Sequence, residues 1–172
     1  MTYADAFQSW RDFYVTAGAA AATLAGLLFV GLSLHIRVVV AHAEVRSLAR
    51  VTLVDFFVVL LVSLVLLAPI GNDGAAAWVI GVGVVSQALV VRPGLEAIRG
   101  KRSRTISLRV LVSRFGLGAL CFLGIGTMGV LLSLGDLNDA LAGLMVLVVL
   151  LLVVAVRNTW DLLVTVADPP IL

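Results

Sequence analysis

Residues 51–70 have the sequence VTLVDFFVVLLVSLVLLAPI, in which Asp55 is the only charged side chain. A helix needs roughly 20 mostly apolar residues to cross the hydrocarbon core of a bilayer, so this stretch predicts a transmembrane span. Because hydrocarbon holds no water to satisfy the backbone, the span is expected to be helical. Four more stretches qualify on the same grounds, and the predicted spans are approximately residues 13–40, 51–70, 75–91, 110–134 and 140–156.

The composition extends this prediction to the whole chain. Its 172 residues are 62% hydrophobic and 13% charged, with a mean hydropathy of +1.16. Soluble domains contain about half apolar and a quarter charged residues, so a soluble core does not account for this chain. The apolar runs also lack the alternation of β-barrel strands. We therefore predict one all-α transmembrane domain over residues 1–172, a polytopic bundle of five helices in contact with the lipid bilayer.

The charged residues divide between the two sides of the predicted bundle. If the spans alternate in direction, one side collects a basic set: Arg37, Arg46, Arg50, Arg92, Arg99, Lys101, Arg102, Arg104, Arg109, Arg114 and Arg157. The other side holds Asp5, Asp12, Asp73, Asp136 and Asp139, with Arg11 as its only basic residue. The positive-inside rule then places the N-terminus outside and the C-terminus in the cytoplasm, for a multi-pass protein of the inner (cytoplasmic) membrane.

Aromatic residues near the ends of the spans fit the same arrangement. Trp and Tyr are enriched where a membrane meets water, because their rings are amphipathic. We expect six aromatic residues to act as interfacial anchors: Tyr3, Phe7, Trp10, Tyr14, Trp78 and Trp160.

The first span carries an unusual face of small and hydroxyl side chains, which we name the small-residue stripe. Steps of three and four residues keep its seven members on one side of a helix: Thr16, Ala19, Thr23, Gly26, Val30, Ser33 and Arg37. One interpretation is a pore lining with Arg37 at its inner mouth. The other is a tight helix–helix seam, supported by the series Gly18, Ala22 and Gly26. Leu24, Leu28 and Leu32 lie on the opposite side and are expected to face lipid.

A carboxylate inside a span is the sharpest single feature of the sequence. Asp55 lies about one turn inside its span, where a charge normally finds a partner or lines a wet cavity. Gln87 and Arg114 are predicted at a similar depth in the third and fourth spans. An Asp55–Arg114 ion pair with Gln87 beside it would satisfy all three groups. The alternative is a proton or cation site built on Asp55.

Other polar groups carry weaker indications. His35 and His42 have no matching carboxylate, so no metal site is predicted, and Cys121 is expected to be a packing residue. The connection between the third and fourth spans is rich in basic residues. It could recruit anionic lipid headgroups through Arg99, Lys101, Arg102 and Arg104. Neither aromatic residues between the basic ones nor a folded nucleic-acid-binding motif accompanies these charges. Nucleic acid is therefore not an expected partner. The sequence contains no P-loop, no HExxH or GxSxG motif and no carboxylate pair suited to acid–base catalysis. We therefore predict neither an enzyme nor a cofactor.

The first third of the chain resembles a known family. Residues 10–14 are WRDFY, residues 18–34 are GAAAATLAGLLFVGLSL, and residues 46–53 are RSLARVTL. Together they resemble the opening of a family of small bacterial multi-pass membrane proteins common in high-GC actinobacteria. This family has no established activity, so the resemblance implies a membrane protein and adds no site residues.

Two functional hypotheses remain from the sequence. Five short spans leave little room for a substrate pathway inside one protomer, and the internal repeats typical of transporters are not seen. The first hypothesis is a homo-oligomer that forms an ion channel or another conduction path, with the first helix near the symmetry axis. The alternative is a non-conducting accessory or scaffold subunit that modulates a larger membrane complex.

Overall fold

The computed structural model describes residues 3–41, 43–99 and 108–167, with side chains for residues 7–41, 45–90 and 116–164. In these ranges the chain forms helices and turns and contains no strand. The helices are α1 (Tyr3–Leu34), α2 (Ile36–Ala41), α3 (Ala43–Leu67), α4 (Asn72–Arg99), α5 (Leu108–Leu134) and α6 (Leu137–Ala167). The all-α prediction is confirmed.

Five of these helices are long and apolar enough to cross a membrane. Their apolar segments are Phe7–Leu34, Val45–Leu67, Asn72–Val90, Gly116–Leu134 and Leu137–Val164. The short helix α2 is the exception. The chain is therefore a multi-pass integral membrane protein, as the continuous apolar runs predicted.

The first helix ends earlier than the predicted span. The span was expected to continue to residue 40, but α1 ends at Leu34 and the chain turns at His35. The His35 amide donates to the Leu32 carbonyl at 3.2 Å, and the His35 carbonyl accepts from Val38 at 3.0 Å. Arg37 consequently lies on α2 and not on the helix that carries the rest of the small-residue stripe.

The last helix is longer than the predicted span. The span was expected to end at residue 156, where Arg157 and Asn158 interrupt the apolar run. Apolar residues resume after this interruption, and Leu162 is fully buried. Burial of that later turn carries α6 on to Ala167. As a result, Asn158 lies within a packed helix and not in a terminal segment.

Helices α3 and α6 form the centre of the bundle. Helix α1 packs on both of them, α4 packs on α3 and along α5, and α5 packs on α6. The interior between them is filled with apolar side chains that include Val59, Val62, Leu144 and Val148, all fully buried. Close packing of this kind is the main source of association between helices in lipid.

A buried tyrosine joins the first and last helices. Tyr14 was predicted to be an interfacial anchor, and this prediction is wrong because the side chain is fully buried. Its hydroxyl donates to the Leu141 carbonyl on α6 at 2.8 Å, and its ring packs against Phe7 and Phe13. A buried hydroxyl needs such a partner, which here is supplied by another helix. Trp78 and Trp160, in contrast, are exposed.

The charged side chains separate to the two ends of the bundle. The end formed by the α1–α2–α3 junction and the last part of α6, which we name the basic end, carries Arg37, Arg46, Arg50 and Arg157, all exposed. The opposite, acidic end carries Asp12, Asp73, Asp136 and Asp139, also exposed, together with Arg11. Which end faces the cytoplasm stays a prediction of the positive-inside rule.

Candidate functional sites on the first helix and in the bundle core

All seven residues of the small-residue stripe are exposed on the surface of the protomer. Six of them lie along α1, and Arg37 follows on α2 beyond the turn at His35. The stripe is therefore not a seam within this chain. It is a surface of small and hydroxyl side chains that extends through most of the apolar segment of α1.

The hydroxyl groups of the stripe bond within their own helix. Thr16 donates to the Asp12 carbonyl at 2.8 Å, Thr23 to the Ala19 carbonyl at 2.9 Å, and Ser33 to the Phe29 carbonyl at 2.7 Å. Each hydroxyl has thus used its one proton, and its oxygen lone pairs remain available as acceptors. The stripe tolerates an apolar environment and can also present oxygen atoms to a polar ligand.

The leucine side of α1 does not face lipid, which corrects the prediction for Leu24, Leu28 and Leu32. Leu28 is buried at 1% exposure, while Leu24 and Leu32 are half-buried against the same apolar cluster. Large leucines fill the space between α1 and the central helices better than small residues can. Leu24, Leu28 and Leu32 therefore face the bundle, whereas other large apolar residues of α1, such as Leu27, Phe29 and Leu34, are exposed.

The Gly18, Ala22 and Gly26 series is divided between two environments. Gly18 is buried in the bundle, and a Cβ at this position would lie 2.9 Å from the Ser63 Cβ. Ala22 and Gly26 are exposed, and a Cβ at Gly26 would have no neighbour within 4 Å. The close approach expected of this series occurs within the chain at Gly18 only.

In the bundle core, Asp55 is a carboxyl group with 0% exposure. It lies on α3, ten residues from the start of the apolar segment at Val45 and twelve from its end at Leu67, so roughly 15 Å of helix separates it from Val45. The apolar segment starts at Val45 and not at residue 51 as predicted, so more of α3 precedes Asp55 than the sequence indicated. Neither of its oxygens accepts a hydrogen bond among the described residues.

Three residues from α5 and α6 surround this carboxyl, and with it they form what we name the Asp55 cluster. A Cβ at Gly118 would lie 3.5 Å from Asp55 Oδ1, and Cys121, on the next turn of α5, interacts with Asp55 electrostatically. From α6, the Asn158 amide faces the carboxyl. Asn158 is 3% exposed, and its Nδ2 has no hydrogen-bond partner. A buried donor and a buried acceptor therefore face each other without completing a bond.

The structure describes one of the two predicted partners of Asp55, Gln87, but not the side chain of the other, Arg114. Gln87 is half-buried on α4 with its Oε1 unpaired, and no hydrogen bond joins it to Asp55. Arg114 precedes Gly118 by one turn of α5, but its side chain lies outside the described ones. The Asp55–Arg114 ion pair therefore stays a prediction.

Asn158 is the residue of the cluster that the sequence analysis missed. The predicted fifth span ended at residue 156 and therefore did not include Asn158. A usable indication was present in the run Leu162-Leu163-Val164, which restores apolar character after one polar turn. A polar residue between two apolar runs on one helix is a candidate for the core.

Among the described residues, the remaining predicted sites add no ligand-binding group. His35 is exposed, and its Nδ1 lies 3.1 Å from the Gly31 carbonyl of the preceding turn. Among the described residues no group of three His, Cys, Asp or Glu side chains is placed to hold a metal ion. Cys121 is buried in the Asp55 cluster. His42 and the side chains proposed for headgroup binding, Arg99, Lys101, Arg102 and Arg104, lie outside the described ones.

Comparison with known proteins gives no relative for this chain. No family model matches the sequence, and no curated protein or solved structure is significantly similar to it. A functional proposal must therefore rest on the geometry of the small-residue stripe and the Asp55 cluster.

Proposed function

We propose that this protein self-associates in the membrane through the small-residue stripe, and that the assembly forms a conduction path lined by α1. One observation carries the proposal, namely the exposure of all seven stripe residues on the protomer. Small side chains gain little from contact with acyl chains, and their advantage is that they let another backbone approach closely. A second copy of the chain offers the same surface in return.

The filled interior of the protomer supports a path between copies and not through one. The space between α3 and α6 is occupied by apolar side chains such as Val59 and Val148, both fully buried. The exposed hydroxyl oxygens of Thr16, Thr23 and Ser33 retain lone pairs that can replace part of the hydration shell of an ion. These groups lie on the exposed face of α1, and Arg37 follows on α2 beyond the turn at His35.

Gly26 gives a direct test of self-association. A Cβ at Gly26 meets nothing within 4 Å, so Gly26→Leu should be accommodated by the protomer and obstruct only a partner. We expect this variant to shift the assembly towards monomers in nanodiscs or detergent, as measured by analytical ultracentrifugation. The matched control is Gly81→Leu on α4, which also has no neighbour within 4 Å and lies off the stripe. A monomeric wild-type protein would refute the proposal.

Disulfide cross-linking can locate the interface. With Cys121 replaced by alanine, single cysteines at Ala19 or Thr23 should form dimers between copies in native membranes. A cysteine at Val84, which is exposed on α4, should not do so. If the stripe cysteines cross-link instead to a different membrane protein, the chain is an accessory or scaffold subunit of a larger complex.

Conduction itself is tested at Arg37. The Arg37 side chain is exposed next to the end of α1 and would contribute a positive charge from every copy at one mouth of the path. In reconstituted liposomes, Arg37→Glu should increase the ratio of cation to anion flux, because it reverses the sign of that charge. An unchanged ratio in an otherwise intact oligomer would favour the non-conducting role.

A further inference from the structure

The Asp55 cluster lacks what a buried carboxylate requires. An ionised carboxylate that has left water needs hydrogen-bond donors or a cation to compensate for its lost hydration. Asp55 is fully buried and neither oxygen accepts a hydrogen bond among the described residues. The described side chains around Asp55 therefore do not compensate for a negative charge at this position.

Among the described side chains of the neighbouring helices, every charged group except Asp161 is exposed. On α6, Arg157 is exposed, and Asp161 lies one turn beyond Asn158. On α1, α2 and α4, the charged side chains that the structure describes are exposed and comprise Arg11, Asp12, Arg37 and Asp73. Helix α3 itself carries Arg46 and Arg50, which are also exposed. Of the described α5 side chains, Cys121 is the titratable one near Asp55, and the side chains of Arg109 and Arg114 lie outside the described ones.

We propose that Asp55 reversibly binds a proton inside the membrane-spanning bundle, with Asn158 as the group that stabilises the ionised form. In the protonated state the carboxyl is neutral and needs no compensating charge at its buried position. On release, the O–H bond breaks, the proton passes to water, and the carboxylate accepts a hydrogen bond from Asn158 Nδ2. This inference is independent of the proposed self-association, because every residue involved lies within one protomer.

The surrounding atoms fit a proton better than a metal ion. Sodium, calcium and magnesium take several oxygen ligands, whereas the cluster supplies a single carboxylate with a glycine, a thiol and an amide nitrogen around it. No group of three His, Cys, Asp or Glu side chains that could hold a metal ion occurs within the described residues. Proton binding requires only the carboxylate, together with a hydrogen-bond donor that stabilises the carboxylate after the proton has left.

The position of Asp55 indicates which end exchanges the proton. Arg50 is exposed at the basic end and precedes Asp55 by five residues, so about 8 Å of helix separates the two positions along α3. We infer that Asp55 exchanges its proton with the basic end, because Arg50 is the nearest charged side chain along α3.

Infrared difference spectroscopy tests this proposal on the full chain in nanodiscs. A protonated carboxyl has a C=O stretch well above the bands of a carboxylate, so the two states are separable. We expect the wild-type protein at neutral pH to show a protonated carboxyl band that disappears reversibly when the pH is raised. Asp55→Asn should lack the band, whereas Asp136→Asn, which removes an exposed carboxylate, should retain it.

The same spectra test the role of Asn158 and show whether the proposal is contradicted. Asn158→Leu removes the donor for the ionised form, and we expect this variant to keep the protonated carboxyl band at pH values where the wild type has lost it.

If Asp55→Asn does not fold, wild-type protein made with ¹³C-aspartate supplies the assignment, since the isotope shifts the frequency of an aspartate band. Absence of a protonated carboxyl band down to acidic pH would overturn the proposal in favour of a permanent ion pair, with Arg114 as the candidate cation. A band that persists unchanged at every pH would also overturn it, because Asp55 would then be a fixed neutral residue.

Discussion

Gly83 and Gly126 bring α4 and α5 into backbone contact. A Cβ at Gly83 would lie 2.8 Å from the Gly126 nitrogen and 3.0 Å from its Cα. The contact continues one turn nearer the acidic end, where a Cβ at Gly129 would lie 2.9 Å from the Ile80 nitrogen. Small residues allow this approach, and the dispersion contacts that follow hold the two helices together in lipid.

Gly83→Ala should therefore destabilise the bundle, although alanine favours helix formation over glycine. The added methyl group meets backbone atoms that cannot move aside, and overpacking of this kind costs about 1 to 3 kcal/mol. The control is Gly81→Ala, whose Cβ has no neighbour within 4 Å and whose helix propensity improves by up to about 1 kcal/mol. Unfolding by SDS in mixed micelles should give opposite signs for the two variants. Equal stability of both would show that α4 and α5 are further apart than described.

Tyr14→Phe should cause a smaller loss of stability. The substitution keeps the ring that packs against Phe7 and Phe13 and removes only the hydrogen bond to the Leu141 carbonyl. A buried hydrogen bond of this type contributes about 0.5 to 1.5 kcal/mol. The control is Thr127→Val, because the Thr127 hydroxyl is exposed and donates to a carbonyl of its own helix. A loss at Thr127 as large as that at Tyr14 would contradict the assigned role of the buried bond.

Asn72→Asp should also destabilise the protein, in spite of the position of residue 72 at the start of α4. A carboxylate near a helix N-terminus gains about 0.3 to 1 kcal/mol. Asn72 Nδ2, however, donates to the Leu132 carbonyl at 2.9 Å, and an aspartate would place an oxygen against that carbonyl. Loss of a partly buried donor costs about 1 to 3 kcal/mol, so the loss outweighs the gain. The same substitution at Asn138, which is exposed in the first turn of α6, should be neutral or favourable. Equal effects in SDS unfolding would exclude this explanation.

The spanning helices were predictable because length and hydropathy suffice to identify them. The stretch around Asp55 needs no tertiary information to be assigned as a helix in lipid. The ends of helices were less predictable, since they depend on packing. Leu162 extends α6 beyond a polar turn because it is buried against other helices, and the turn at His35 divides a run that is apolar on both sides.

The direction in which each helix faces was not predictable from composition. In water, apolar residues identify the buried side of a helix, but lipid and protein interior are both apolar in a membrane. Leu28 was for that reason assigned to lipid and is in fact buried, while Thr23 is exposed with its hydroxyl bonded to its own helix. The Asp55 cluster was found in part, since an intramembrane carboxylate is conspicuous. Asn158 was missed because its place in the core depends on the true length of α6.

The orientation of the bundle can be measured by cysteine labelling, and we expect the acidic end to face outward. Asp73 and Asp136 are exposed at that end, whereas Lys101 and Arg104 belong to the basic connection between α4 and α5, which positive charge retains in the cytoplasm. Single cysteines would replace each of the four residues in a chain that carries Cys121→Ala. A membrane-impermeant maleimide should label positions 73 and 136 in intact cells, and positions 101 and 104 only after permeabilisation.

The outcomes of this labelling separate two independent parts of the prediction. The reverse pattern would preserve the five-span bundle and overturn the orientation with the N-terminus outside, so that Asp55 would exchange its proton with the exterior. Labelling of position 73 and position 101 from the same side would be a different result. Because α4 begins at Asn72 and ends at Arg99, that result would mean that α4 does not cross the membrane, and the five-span bundle itself would be wrong.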